Sequence, residues 1–461
     1  MRLENHPILE FKRGKEIHYR FRGQDLVGYE GDTVASALHD AGVRVLSESA
    51  AKHRPRGLYC AIGNCSSCLM TVDGKPNVRV CVEPLREGME IEPQIGYQPY
   101  DITKVGKYKK SDKAGIVETD IVVVGGGPAG MCAALEAASH GLKVILAERN
   151  AKTGGQLVKQ THKFFGSEKQ KAGTRGIDIA VELQLKLAED PNITVWTDTT
   201  VLGYYPGNLI MAEHEKVVMG IQAKSVIIST GAFEKSLVFP NNDLPGIYGA
   251  GAVQTLMNQE GIKPGSHVLM VGAGNIGLIV SYQLLQAGVD VVAVVEAAPH
   301  FGGYEVHAQK LRRAGVPILT SHTVKYAFGK EQLEGAVICE LDEKFRQIPG
   351  TEQEVKVDVM CIAVGLSPLI EMFSQAGCRL KFVPELGGHV PVIDEFQRTT
   401  VEGVYAAGDS GGIEEASSAM LTGRLAGLQA AQDMGACDNY DALHADYAEQ
   451  LGLLRAGPGA A

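Results

Sequence analysis

Four of the nine cysteines fall in one short stretch: Cys60-x4-Cys65-x2-Cys68, then Cys81 after twelve intervening residues. Three closely spaced thiolates with a distant fourth is the ligand pattern of plant-type [2Fe–2S] sites. That chemistry needs a loop that turns three sulfurs inward around two irons, with a strand supplying the fourth. The residues between the cysteines suit it, since Ala61, Gly63, Asn64, Ser66 and Ser67 are small or turn-forming. A zinc site is the alternative, although zinc favours two C-x2–4-C pairs; unrelated reduced thiols are another. Lys52-His-Arg-Pro-Arg56 just upstream is basic, and could dock an electron-exchange partner or balance the cluster's charge.

A second chemistry lies in Asp120-Ile-Val-Val-Val-Gly-Gly-Gly-Pro-Ala-Gly130, an apolar strand running into G-x-G-x-x-G. Gly125 makes the tight turn, Gly127 lets backbone approach a pyrophosphate, and Gly130 lets the next helix pack on the strand. The helix, expected over Met131–His140, points its positive N-terminus at the phosphates. Pro128 and Ala129 lie in the same cradle. Glu148, closing the second strand, is placed to accept both ribose hydroxyls, with Arg149 beside it. Distant features choose the dinucleotide. Gly154-Gly155-Gln156 suits a loop along an extended flavin nucleotide, and Thr230-Gly231 ends the segment leaving the first domain. Gly408-Asp409 closes a strand with an acid that could hold the ribityl hydroxyls, and a helix from about Ala416 could cap the flavin side. Together these predict FAD.

The fingerprint recurs. Val268-Leu-Met-Val-Gly-Ala-Gly-Asn-Ile-Gly277 repeats it through Gly272, Gly274 and Gly277, with Asn275 and Ile276 in the cradle and Glu296 ending the second strand. An acid there repels a 2′-phosphate, which favours NAD over NADP. Gly302-Gly303 mimics the flavin-side doublet of the first copy, so another adenine nucleotide or a vacant site are the alternatives. Val359–Gly365 is the segment expected to return the chain to the FAD domain.

The elements that must position these residues follow from patterning. Asp32–Gly42 reads as a capped helix, and Ile17–Phe21, Leu69–Val72 and Val78–Val82 as strands around the cysteine loop. Two copies of one βαβ unit imply two nucleotide-binding domains with parallel sheets. The expected fold is α/β: a two-dinucleotide-binding flavoprotein, its NAD-type domain inserted in the FAD domain, preceded by a small α+β ferredoxin-like β-grasp domain. The expected domains are 1–100, a linker at 101–118, the FAD-binding domain at 119–250 and 371–440, the NAD-type domain at 251–370, and a tail at 441–461. The composition shift at Lys104–Lys113 marks the linker.

Composition sets limits. Of 461 residues, 45% are hydrophobic and 21% charged, which excludes wholesale disorder. The 55 glycines exceed the roughly 32 expected at about 7%, an excess the close backbone approaches account for. A formal charge of −10 argues against nucleic acid as the main ligand. The charged start has no apolar h-region, and the apolar stretch Ile121–Ala138 is broken by three glycines and a proline; no membrane span and a cytoplasmic location are expected. The flavoprotein part has no C-x2–4-C pair, which excludes a dithiol reductase. No histidine pairs with an acid at telling spacing, so no catalytic residue is assigned. Cofactor sites without visible substrate chemistry describe an electron conductor for an active site elsewhere.

The combination resembles one group. Residues 1–118, with the His53-Arg-Pro-Arg-Gly57 run, resemble the small [2Fe–2S] module. Residues 119–435 resemble the flavoprotein part of α subunits of heteromeric FAD-dependent amino-acid dehydrogenases and oxidases: sarcosine oxidase, proline and hydroxyproline dehydrogenases, opine oxidases and hydrogen cyanide synthase. The specificity of the resemblance comes from the cysteine module joined directly upstream of the glycine motifs. It implies a second FAD-containing catalytic subunit that oxidises an amino or imino acid, with this chain passing the electrons onward. Sarcosine oxidase α subunits continue into a folate-binding half that this sequence lacks. Only Cys437 lies beyond Asp409, so a further cysteine-rich module is expected on another small iron–sulfur polypeptide. The competing readings are a self-sufficient NADH-dependent reductase and a non-catalytic subunit for assembly.

Overall fold

The computed structural model describes residues 1–100, 103, 115–164, 169 and 171–456. The expected linker at 101–118 lies mostly outside the described residues, as do positions 457–461. The chain forms two compact units, Met1–Gly106 with Glu234–Gly365, and Lys107–Phe233 with Leu366–Ala461.

The first unit begins with the hairpin β1 (Glu16–Phe21) and β2 (Gln24–Tyr29), then helix α1 (Val34–Asp40). Thr33 starts the helix through a capping box. Its Oγ1 accepts from Ser36 N (3.1 Å), and its own N–H donates to Ser36 Oγ (2.9 Å). Strands β3 (Leu69–Val72), β4 (Lys75–Arg79) and β5 (Glu90–Pro93) complete a sheet of order β2-β1-β5-β3-β4, with β1 and β5 parallel. The strand expected at 78–82 instead ends at Arg79. Val82 N donates to Arg79 O (3.1 Å), a turn that swings Cys81 inward instead of continuing the ladder.

The second unit is built on β6 (Ile116–Val124), α2 (Pro128–Ser139) and β7 (Val144–Ala147). Helix α2 starts three residues before the expected Met131, because Pro128 suits the first helical turn, where an N–H would have no partner. Adding β8 (Ile193–Trp196), β9 (Thr200–Tyr205), β10 (Leu209–His214) and β11 (Val217–Ile228) gives the order β8-β7-β6-β11-β10-β9. Ile121 to Val124 and all of β7 are buried, which explains their continuous apolar runs.

The chain then returns to the first unit. Strands β12 (Ile247–Gly249), β13 (His267–Val271), β14 (Asp290–Val295), β15 (Ile318–Leu319) and β16 (Val359–Ile362) form a parallel sheet of order β12-β16-β13-β14-β15, and α3 (Asn275–Gln286) follows β13. One hydrophobic core joins this βαβ to the cysteine module. Tyr19, Leu38, Leu46 and Met70 share it with Tyr248, Met257, Met270 and Leu284. Buried His39 of α1 meets the Tyr248 hydroxyl at 2.8 Å.

The second unit closes with β17 (Val404–Ala406), parallel to β11, and α4 (Ala416–Asp433), packed along α2. The segment expected as a tail contains a helix, α5 (Tyr440–Arg455), whose Tyr447 and Leu451 are buried with Leu421, Leu425 and Leu428 of α4. A stripe at i, i+4 suffices to fold it onto that surface.

Candidate functional sites: a thiol loop and two glycine cradles

The thiol loop is wound by residues in the left-handed region: Ala61 (φ 49°), Gly63 (φ 70°) and Ser66 (φ 59°). This curls the chain around its sulfurs. Cys60, Cys68 and Cys81 are buried and Cys65 is exposed. Backbone N–H groups point at sulfur, Gly63 N to Cys81 Sγ at 3.3 Å and Cys65 N to Cys60 Sγ at 3.4 Å. The thiols form a chain of neighbours, Cys65–Cys60–Cys81–Cys68. Hydrogen bonds from Cys65 and Cys81 hold the Cys60 thiol far below its ordinary value, and the same bonds push Cys65 and Cys81 up. Among the described residues no group of three or more His, Cys, Asp or Glu side chains is set to hold a single metal ion. Four neighbouring thiols, with backbone N–H donors aimed at two of the sulfurs, match the thiolate ligand set of a two-iron cluster.

Two arginines of the basic run upstream are paired within the protein. The Arg54 guanidinium donates to both carboxylate oxygens of Asp243 (Nε 2.9 Å, Nη2 2.6 Å), and Arg56 Nη1 lies 2.9 Å from Asp243 Oδ2. Sequence reasoning missed Asp243. No local signal could have found it, because its partners lie in a distant segment.

The two cradles are built alike. Gly125 and Gly272 both take φ 106°, a turn open to glycine alone, and a Cβ on either would strike the carbonyl of Ser229 or Ala363, just past the end of the neighbouring strand. Gly130 and Gly277 pack against the carbonyls of Gly125 and Gly272. The middle glycines differ in kind. A Cβ on Gly127 would meet nothing nearer than Gly155 Cα at 4.0 Å, and one on Gly274 nothing within 4 Å. Protein packing does not require glycine there, whereas backbone approach by a ligand does. No side chain caps α2 or α3, so their first N–H groups face these openings.

Each cradle is latched by its acid. Glu148, buried, accepts from Gly126 N (2.7 Å) and from the backbone and side chain of Asn150 (2.8 and 2.7 Å). Glu296 accepts from Ala273 N (2.7 Å) and Ala298 N (2.9 Å). The loops beyond the acids fold back in both copies, Gly154 N to Gly126 O (2.7 Å) and Gly303 N to Ala273 O (3.1 Å). In the second copy Asn275 Oδ1 also accepts from Tyr304 N (2.8 Å). Ile276 is half-buried, while Arg149 and Gln156 are exposed.

The first cradle receives elements from late in the chain. Gly408 N donates to Thr422 Oγ1 (3.0 Å), and a Cβ on Gly408 would lie 2.7 Å from Ala129 Cβ, so the Asp409 turn sits directly on the start of α2. Burial pushes the Asp409 carboxyl up to about 6, although Glu414 N donates to it (3.4 Å). Thr230 Oγ1 donates to Leu369 O (3.2 Å), and Gly231 O accepts from Leu369 N (2.9 Å), which ties down the return segment. Arg424 of α4 lies over the Tyr447 ring of α5, 5.6 Å from its centroid.

Open glycine cradles, latching acids and an N–H-lined thiol loop define a flavoprotein with an iron–sulfur module. The chain belongs to the pyridine nucleotide-disulphide oxidoreductase family, which matches residues 119–423, and residues 14–96 match the 2Fe-2S iron-sulfur cluster binding domain. FAD and a [2Fe–2S] cluster are the cofactors of this chain, and the donor sets above fit both. Among particular proteins, it is 29% identical over 456 residues to the alpha subunit of sarcosine oxidase from Corynebacterium sp. (strain P-1), covering 94% of this chain and 45% of that one. It is 27% identical to an opine oxidase subunit of Agrobacterium tumefaciens (strain Ach5), over 68% and 66% of the two chains. The crystal structure of L-proline dehydrogenase from P. horikoshii superposes with a TM-score of 0.75 at 28% identity, covering 97% of this chain and 79% of that one. The chain thus spans less than half the length of its sarcosine oxidase relative. No helix of the described residues is long and apolar enough to cross a membrane.

Proposed function

We propose that this chain is the electron-transferring flavoprotein and iron–sulfur subunit of a cytoplasmic heteromeric dehydrogenase. A partner flavin subunit would oxidise an amino or imino acid of the proline, hydroxyproline, sarcosine or opine kind. The observation that carries the reading is the joining of a thiol-loop module directly ahead of two glycine cradles, in a chain similar to subunits of sarcosine oxidase and opine oxidase. Cys60, Cys65, Cys68 and Cys81 would hold the cluster. Gly125, Gly127, Gly130, Glu148 and Asp409 would hold FAD. When bound, these groups supply two-electron and one-electron carriers in one chain. The protein's own work would be to orient them: the uncapped start of α2 would offer N–H groups to the pyrophosphate, Glu148 fixes the loop, and Asp409 would offer a buried hydrogen-bonding carboxyl. The expected layout places the [2Fe–2S] domain at 1–100, FAD binding at 119–250 and 371–440, and an NAD-type domain at 251–370.

One observation favours a second reading, an NADH-dependent reductase. Gly274 faces open space as Gly127 does, and Glu296 latches its loop as Glu148 does. Steady-state dye reduction separates the two. The chain alone should not turn over proline, hydroxyproline, sarcosine or opines at a useful rate, and the co-expressed complex should. Comparable turnover by the chain alone overturns the subunit reading, and rapid NADH oxidation by the chain alone installs the second.

A further inference from the structure

The thiol loop is not held by its own small domain alone. The strand entering it is fastened, residue by residue, to a segment almost two hundred positions later in the same unit. Arg54 makes a two-pronged contact with Asp243 and a further bond from Nη2 to Asn241 Oδ1 (3.0 Å). Arg56 shares the same carboxylate at 2.9 Å. A Cβ on Gly57 would lie 2.9 Å from Pro245 Cβ, so the backbones run in contact. Tyr59 donates its hydroxyl to Lys235 O (3.1 Å) and accepts from Gly249 N at its carbonyl (3.0 Å). Cys60 follows at once.

We propose that Asp243 is a positioning residue for the iron–sulfur cluster. Its one carboxylate gathers two guanidiniums, fixes the strand that delivers Cys60, and offsets their positive charge beside the cluster. The argument is one of geometry and charge. Planar guanidinium forks on carboxylate are directional as well as strong, and the pair is half-buried, so it is screened less than an exposed one. The two arginines of the basic run are thereby paired internally. The proposal rests on the cluster assignment above, and the test keeps the two apart.

The test reads the cluster, not turnover, in the full chain. Iron per chain, the electron paramagnetic resonance spectrum of the dithionite-reduced protein and the reduction potential are measured for the parent, Asp243→Asn, Arg56→Gln and Asp243→Glu. Asp243→Asn leaves the arginines less compensated and stabilises the more negative, reduced cluster, so its potential moves positive. Arg56→Gln removes a cation and moves it negative. Asp243→Glu retains the charge and stays near the parent, and FAD content is unchanged throughout. Opposite shifts are a signature that mere loosening of the fold does not give. Potentials that stay put, or that both move the same way, overturn the proposal. If Asp243→Asn fails to hold iron, a negative shift in Arg56→Gln with Asp243→Glu near the parent supports the proposal, and an Arg56→Gln potential that stays put or moves positive overturns it. A parent chain without iron would instead sink the cluster assignment.

Discussion

The two glycine cradles share nearly every backbone constraint, and they differ in what the rest of the chain brings to them. Both turn at φ 106°, both open at the middle glycine, and both are latched by an acid through the loop N–H. Beside the first stands Ser229, whose hydroxyl donates to Val124 O and Gly125 O at 2.9 Å each; beside the second stands Ala363. The first is overlain by the Gly408–Asp409 turn and by α4, while the second belongs to the unit that carries the thiol loop. A repeated βαβ therefore specifies the same glycine cradle twice. What surrounds each cradle is specified by elements that do not repeat.

Matched lesions should break this comparison most sharply. Gly127→Val places a side chain where the pyrophosphate must lie and should weaken FAD binding by roughly 100-fold or more, about 2.7 kcal/mol. Flavin per chain after gel filtration reads it, and undiminished flavin contradicts the assignment. Gly274→Val is the same lesion in the second cradle. It should leave FAD in place and abolish binding of NADH or ATP measured by isothermal titration. Loss of FAD in that variant would show that the cradles are not independent.

A third prediction separates the units by pH. Burial pushes Glu260, in the unit of the second cradle, up to about 7, against a bond from Ser36. A carboxyl whose folded value is raised contributes stability that is present below its unfolded value near 4.5 and is lost as pH rises through 7. Glu260→Gln should therefore stabilise that unit at pH 8 by up to about 3 kcal/mol and leave it unchanged at pH 4.5. Thermal unfolding across that range checks it, and a pH slope as steep as the parent's refutes it. The smallest effect belongs to Ser229→Ala, which makes the first cradle resemble the second. Losing two bonds from one hydroxyl should cost about 1 kcal/mol, under tenfold in FAD affinity. A larger loss would mean that this hydroxyl touches the flavin nucleotide.

Much of the fold was legible because its signals are local. The strand–glycine–helix order at 120–140 and 267–286, the acids at Glu148 and Glu296, and the helix near Ala416 all follow from patterns within some thirty residues. The helix start at Pro128, where Met131 was expected, and the strand end at Arg79 are boundary differences, set by a proline at the first turn and by Cys81 turning inward. Helix α5 was illegible as structure because its stripe is short and its partner surface on α4 is made only by folding.

The sequence by itself determined which cysteines sit together, where glycine turns leave the backbone open, and which acids end the second strands. Each depends on residue type and short spacing, which the chain carries without folding. Tertiary structure alone decided that the thiol module shares a core with the second nucleotide-binding βαβ, that Arg54 and Arg56 belong to Asp243, and that Arg424 faces Tyr447. Those pairings are made by side chains about twenty to about two hundred positions apart. Long-range burial and charge neutralisation choose such partners from many alternatives, and no periodicity records the choice.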